Sequence, residues 1–263
     1  MKKIIFYMLS LVLIVGCQKH RQVPSPKMVD RSKNLIVVDA GHGGHDTGAI
    51  SGGRREKDLV LQIATRLKNQ LLSEGYRVYL TRGDDRFLKL SQRTRIADKL
   101  NAKVFVSIHA NAIANRNRFN AVEGIETYFL QKTRDARSQR IATRENEAVL
   151  QGADALSKNV IIDSVLNGPK IIQSHKLAID VQNSVMQHLR QKYFDARNGG
   201  VRPAPFYVLV GASRPSILVE VGYITNDKER QRLFSQDYQT RIAKGISRGI
   251  GRYIDNRKRE LGF

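Results

Sequence analysis

The chain of 263 residues has no tryptophan and one cysteine, and it is short of acidic residues. The lone Cys17 excludes an internal disulfide, whatever redox compartment the chain meets. Six prolines are too few for a collagen-like or polyproline chain. No repeat at a fixed period and no long low-complexity tract occurs, which sets aside solenoids, propellers and disordered polymers. No apolar run reaches the roughly 20 residues that a membrane-spanning helix needs. Aspartate and glutamate number 24 against 45 lysines and arginines, so the formal charge is +21 and needs an anionic partner or a solvated face. What is present is a globular composition, 41% hydrophobic, long enough for one sizeable domain with a tail.

The opening "MKKIIFYMLSLVLIVGC" has two lysines, an apolar run from Ile4 to Val15, then Gly16-Cys17. It reads as a signal peptide over residues 1–16, so an exported protein is expected. Ile14-Val15-Gly16-Cys17 resembles a bacterial lipobox, in which the cysteine is acylated and becomes the mature N-terminus. An ordinary cleaved signal or an uncleaved anchor is the alternative. A lipidated Cys17 would anchor the chain to a membrane of the cell envelope on its periplasmic side, and Gln18 is compatible with an outer membrane where one exists. Residues 17–33, polar with two prolines, read as the lipidated N-terminus and a tether. Without Lys2 and Lys3 the chain keeps 43 basic and 24 acidic residues, about +19.

From residue 34 onward strand-like and helix-like patterns alternate. Strands are expected at 35–39, 76–81, 103–108, 122–130, 205–210 and 216–221. Val60, Ile63, Ala64, Leu67 and Leu71 form one apolar helical stripe, with Gly75 just past its end. Further helices are expected at 91–101, at 174–190 with Ser174 as N-cap, and at 238–255. "VFVSI" and "SILVEV" are apolar on both faces, as central parallel strands are. The expected architecture is therefore a single α/β domain over 34–263. It has a twisted, mostly parallel sheet of about six strands with helices on both faces. Residues 131–172, charged and partly helical, fit the alternation poorly and read as a surface helix or a regulatory insertion. In the last helix Ile242, Ile246, Ile250 and Ile254 share one face while Arg241, Lys244, Arg248 and Arg252 line the other. That basic stripe suits a solvated face, an anionic envelope polymer or a membrane surface. Nucleic acid is not expected as a partner, because no aromatic-basic platform is visible.

Ligands of open parallel sheets bind beyond the carboxyl ends of the strands. Three strands here end in groups that can bind a metal or move a proton: His42 in "VVDAGHGGHDTGAI", His109 in "VFVSIHANA" and Glu220 in "SILVEVGY". Glu56 lies four residues before Val60, so a helix that includes it aims its carboxylate along the buried stripe. Such a carboxylate is costly unless paired or bound to a cation. Two histidines and a carboxylate with a fourth position open to water form a catalytic zinc set. A further carboxylate off the metal can then shuttle the proton. His42, Glu56 and His109 offer the ligands for one zinc ion and Glu220 the shuttle. Satisfied structural histidines and an ion-paired Glu220 are the plainer alternative.

The blocks "IVVDAGHGGHDTGA", "REKDLVLQIATRL", "VYLTR", "LSQRTRIADKLNAKVFVSIHANA", "GIETYFL" and "SILVEVGYITNDKE", in this order, resemble the zinc-dependent N-acetylmuramoyl-L-alanine amidases of the amidase 3 family. The resemblance runs from about Leu35 to the C-terminal helix. It implies a zinc hydrolase of peptidoglycan that cuts the amide between N-acetylmuramic acid and the L-alanine of the stem peptide, in wall remodelling or daughter-cell separation. It places the zinc ligands on His42, Glu56 and His109 and the catalytic glutamate on Glu220. Ala40 stands where the family often has proline. Some members carry an inserted helix whose glutamate caps the zinc until an activator protein removes it. "RENEA", 144–148, resembles the start of that region, which makes Glu145 or Glu147 a candidate inhibitory ligand.

The remaining polar residues receive smaller roles. Asp39 and Asp46 are expected to brace the loop or a ligand histidine. Asn111 binds the substrate's amide groups or caps a turn, and Arg93 holds a sheet-end carboxylate or one of the substrate. Asn226 and Glu229 read as a capping box. His45 is expected to be a non-ligand that can touch substrate, His175 and His188 to serve surface or packing, and His20 to lie in the tether. A zinc peptidase or carboxypeptidase acting on stem peptides, and a non-catalytic wall-binding lipoprotein, are the competing functions.

Overall fold

The computed structural model describes residues 33–150, 169–210 and 212–262. The signal peptide, Cys17, the tether to residue 32 and residues 151–168 lie outside the described residues. Strand β1 (Leu35–Ala40) is apolar on both faces except for Asp39, and Ile36 to Ala40 are wholly buried. A two-residue hairpin of β2 (Ile50–Ser51) and β3 (Arg54–Arg55) leads into α1 (Glu56–Ser73). Then follow β4 (Arg77–Leu80), α2 (Leu90–Lys99), β5 (Val104–Asn111), a 3-10 turn (Arg116–Ala121) and β6 (Ile125–Leu130). The second half holds α3 (Ala136–Leu150), α4 (Pro169–Arg190), β7 (Asn198–Ala204), α5 (Tyr207–Val210) and β8 (Ser216–Tyr223). The chain closes with α6 (Asp227–Leu233) and α7 (Gln236–Glu260).

The main sheet has six strands in the order β4-β1-β5-β8-β6-β7. Neighbours are parallel except at β6/β8, which is antiparallel. That reversal matters for the site. It lays the start of β6 beside the end of β8, with Glu126 opposite Glu220. Alternation along the strands divides the core. Ile36, Val38, Val104, Val106, Ile217 and Val219 face α1, α4 and α7, while Val37, Phe105 and Leu218 face the side of α2, α3 and α5.

Helices α4 and α7 meet backbone to backbone. A Cβ at Gly245 would lie 2.5 Å from Val185 Cα and one at Gly249 2.4 Å from Val181 Cα, so glycine at this spacing is what lets the helices touch. Ile242, Ile246, Ile250 and Ile254 are buried, while Lys244, Arg248 and Arg252 are exposed.

Three expectations are corrected. The strand expected at 205–210 is instead β7 at Asn198–Ala204, followed by the short helix α5. Two glycines and Pro203 disguise β7, but as the outermost strand it can forgo a ladder N–H. Conversely, the apolar "FYVLV" owes its hydrophobicity to a buried helical turn. Ser174 is no N-cap: α4 already opens at Pro169, and the buried Ser174 hydroxyl accepts the Ser216 N–H at 3.0 Å. The capping box of α6 is half formed. Asn226 accepts from the Glu229 N–H at 3.0 Å, but the Glu229 carboxylate accepts from Gly124 and Tyr223 instead. Of residues 131–172, the described part is anchored: α3 sets Ile141 and Ala142 into the second core. No described helix is long and apolar enough to cross a membrane.

Candidate metal centre

Beyond β1 the chain turns through Gly41, whose Cβ, if present, would lie 2.4 Å from the His109 ring; no side chain fits there. His42 follows in the left-handed region with φ 56°, an uncommon conformation for a residue with a Cβ. Two buried guanidiniums hold this loop. Arg93 donates to Asp39 at 2.9 Å, to the Ala40 carbonyl at 2.6 Å and to the His42 carbonyl at 2.7 Å. Arg82 donates to the carbonyls of Ala40 and Gly41, and to that of Lys57 in the first turn of α1. Arg82 therefore ties the loop of His42 to the helix start that carries Glu56. Asp39 is fully buried, yet Arg93, Ser107 and Thr81 hold its carboxyl below the usual range. Arg82→Met strips the donors from three carbonyls buried with it. We expect it to cost about 3 kcal/mol or more of unfolding free energy, read by chemical denaturation.

Against this frame four side chains converge. His42 Nδ1 contacts Asp46 Oδ2 at 3.0 Å, which turns Nε2 inward. Nε2 lies 3.1 Å from Glu56 Oε1 and 3.3 Å from Glu145 Oε2. His109 Nδ1 lies 2.8 Å from Glu145 Oε2 and 3.4 Å from Glu56 Oε1. One ligand atom from each of the four residues falls within 4.8 Å of all the others. Glu56 is fully buried and aimed by two backbone donors, Ala49 N–H at 2.9 Å and Ala110 N–H at 2.8 Å.

These contacts are not hydrogen bonds in direction. His42 Nε2, both nitrogens of His109 and Glu145 Oε2 are buried with no hydrogen-bond partner among the described residues. Orphaned polar atoms cost stability unless something else binds them. Four N/O ligands about 2.0–2.1 Å from a tetrahedral cation stand ~3.3 Å apart, and the four histidine–carboxylate distances here run from 2.8 to 3.4 Å. The electrostatics agree. Burial works against charging either imidazole, yet Glu56 lifts His42 well above the usual histidine range, and Glu145 lifts His109 to about 9. Glu56 stays low in the face of burial, chiefly through His42. The centre calls for positive charge, and the donor set fits a divalent cation.

Glu220 stands beside His109 across the β5/β8 register, fully buried, and neither of its oxygens has a hydrogen bond among the described residues. Burial, then the charge of Glu145, pushes its carboxyl well above the usual range. Arg144 Nη2 approaches it at 3.9 Å, while Arg144 Nη1 donates to the Ala112 carbonyl. Such a carboxyl holds its proton more tightly than an ordinary one, as a group that accepts and returns a proton requires.

The other sequence candidates separate. Glu145 is in the cluster, whereas Glu147 is exposed on the wall of the same cavity. Asn111 is buried, donating to Glu126 and accepting the Ala112 N–H. Arg93 is buried and faces protein carbonyls and Asp39. His45 is exposed beside Phe87, His175 stacks on Phe129, and His188 contacts the Ser184 carbonyl. Sequence reasoning missed Arg82, Arg144 and Glu126. Glu126 is wholly buried, with Tyr128, Asn111, Arg137 and Arg202 around it. Its cue was a lone carboxylate in the apolar run "GIETYFL"; Arg82 offers no cue short of the fold.

A family model described as N-acetylmuramoyl-L-alanine amidase matches residues 36–252. AmiA, an N-acetylmuramoyl-L-alanine amidase of Escherichia coli (strain K12), is 33% identical over 235 residues, covering 86% of this chain and 79% of its own. The structure of AmiC2, an N-acetylmuramoyl-L-alanine amidase of Nostoc punctiforme, aligns with a TM-score of 0.62 at 35% identity, covering 85% of this chain and 98% of that one. The CwlD amidase from Clostridioides difficile, solved in complex with the GerS lipoprotein, aligns with a TM-score of 0.62 at 27% identity, covering 85% and 99%.

Proposed function

The chain belongs to the N-acetylmuramoyl-L-alanine amidase family, and on that premise we propose that it is a zinc hydrolase of peptidoglycan. The bond cut is the amide between the lactyl group of N-acetylmuramic acid and the L-alanine of the stem peptide. The observation that carries this reading is the buried cluster of His42, Glu56, His109 and Glu145, in which the His42, His109 and Glu145 atoms that face one another have no hydrogen-bond partner among the described residues, beside a buried carboxyl, Glu220. His42, Glu56 and His109 serve as resident ligands, because each is fixed by the backbone of a sheet-end loop or the start of α1. Zinc, when bound, polarises the amide carbonyl and makes water a nucleophile near neutral pH. Glu220 takes the proton from the attacking water and delivers it to the departing nitrogen, so the peptide leaves as a neutral amine. Asp46 holds the His42 tautomer, and Asn111 and Arg93 keep the strand ends in place.

Glu145 has a different part. As a fourth ligand it fills the position that water needs, so α3 caps the centre until it is displaced. An activator protein is the agent this device requires; the GerS lipoprotein bound to CwlD shows that an amidase of this fold takes a protein partner. Export, acylation at Cys17 and a lipid anchor in the envelope, on the periplasmic side, would keep the enzyme beside its polymer for wall remodelling or daughter-cell separation.

Digestion of purified muropeptides tests the activity. Free glycan and intact stem peptides are expected as products. Chelation should abolish their release and added zinc restore it, read by mass spectrometry of the digest. Fragments cut inside the stem peptide would instead establish the peptidase reading, and full activity after exhaustive chelation would remove the metal from the mechanism.

A further inference from the structure

The sheet order gives the proposed substrate a direction. The metal cluster starts on the β1 side with His42 and passes to His109 on β5, and Glu220 stands next to it on β8. In the amide that this reading assigns, the carbonyl carries the sugar through its lactyl group and the nitrogen carries the peptide. The carbonyl must meet the metal and the nitrogen must come within reach of Glu220. The glycan then extends over the loops beyond β1, and the peptide extends over β8 and β6.

The two sides differ in chemistry to match. On the β6 side the part-exposed guanidiniums of Arg137 and Arg202 crowd Glu126 at 2.9 and 3.0 Å, a setting for the charged groups of a stem peptide. On the β1 side His45, three residues after His42, lies against Phe87, with ring centroids 4.1 Å apart and planes tilted by 38°. Both rings line the cavity that also holds His42 and Glu56. His45 is exposed and Phe87 half-buried.

This aromatic pair is built in, not incidental. Asp85 accepts the Gly44 N–H at 2.8 Å, and the nearly buried Lys57 donates to the Gly44 carbonyl at 2.8 Å and to Asp85 at 2.7 Å. The Phe87 loop touches the metal loop so closely that a Cβ on Gly44 would lie 2.8 Å from the Phe87 nitrogen. A pyranose presents an uncharged C–H face to an aromatic ring and hydroxyls at its rim, which suits a fixed aromatic pair in a polar cavity.

From this we infer that His45 and Phe87 form the glycan-side subsite, taking the pyranose ring next to the scissile amide. The inference rests on the amidase reading for its direction, but its test does not need turnover. The chain has no tryptophan, so Phe87→Trp places a single indole in the subsite of the full-length protein. The muramyl disaccharide without peptide is expected to shift the indole emission saturably, and the free stem peptide to leave it unmoved. Adding His45→Ala should weaken that titration. In a parallel assay, Phe87→Ala should weaken competitive inhibition by the disaccharide about tenfold and leave inhibition by the stem peptide within about twofold. An indole that answers the stem peptide and not the disaccharide, or a Phe87→Ala loss shared equally by both, overturns the subsite. A protein that stays inactive even with the Glu145→Ala change yet still binds the disaccharide sinks the amidase reading and spares the subsite; an active one with a silent indole sinks the subsite alone. If Phe87→Ala does not fold, the indole titration decides by itself.

Discussion

Glu220→Gln is expected to lower turnover by about 10²–10⁴-fold while the metal content of the purified protein stays unchanged. Glutamine keeps the size and most of the packing of a side chain that is wholly buried in β8, so the fold should tolerate it. What it loses is the ability to accept a proton and give it back. Among the described residues the Glu220 oxygens accept no hydrogen bond, and Arg144 at 3.9 Å is the one ion-pair contact the change would weaken. Burial and the neighbouring Glu145 charge already push the carboxyl upward, which sets the acidic limb of the activity profile above the ordinary carboxylate range. Below that limb the group stays protonated and cannot act as base; above it the base is available. The measurements are kcat with a muropeptide, elemental analysis of bound metal and a pH profile of the parent enzyme. A Glu220→Gln variant with parental kcat would remove Glu220 from the chemistry.

The legible part of the molecule was the part governed by period and by strand ends. The α1 stripe and the doubly apolar β5 and β8 announce helix and central strand directly, because their burial is written in every residue. Parallel strands also say where their carboxyl ends lie, so His42 and His109 could be considered together although 67 positions separate them. Glu56 could be added from helix periodicity alone. Glu145 had no such cue and entered only through a resemblance in "RENEA". What stayed hidden depends on contacts made at long range. Arg82 reaches three carbonyls on two different segments, and nothing near "TRGDD" announces that. The β6 reversal that brings Glu126 beside Glu220 is a matter of topology, invisible to local pattern. Edge strand β7 failed for the opposite reason: its glycines and proline are what an outermost strand tolerates and what a sequence pattern rejects.

Glu145→Ala is expected to raise basal hydrolysis of muropeptides about 10–100-fold when no activator is present. That range follows if the capped arrangement leaves the centre open for only 1–10% of the time, since apparent activity scales with the competent fraction. The carboxylate is held from one side by Arg144, which donates to Glu145 Oε1 at 2.8 Å, and it meets the cluster with Oε2. Removing it frees one ligand position and leaves His42, Glu56 and His109 in place. Two further readouts separate uncapping from damage. Glu145 is the largest charged contributor to the raised Glu220 carboxyl after burial itself, so its loss should move the acidic limb of the pH profile to lower pH. It is also the charge that lifts His109 to about 9 against burial, so in metal-free protein that imidazole should titrate at lower pH in the variant. Unfolding should change little, because Ile141, Ala142 and the bonds of Asn146 to Pro205 and Tyr207 still seat α3. The exposed Glu147 on the same wall provides the comparison within the helix. If Glu145→Ala, alone and combined with Glu147→Ala, leaves both basal activity and the acidic limb where they were, α3 does not cap the centre. The position that water needs must then be open in the resting enzyme.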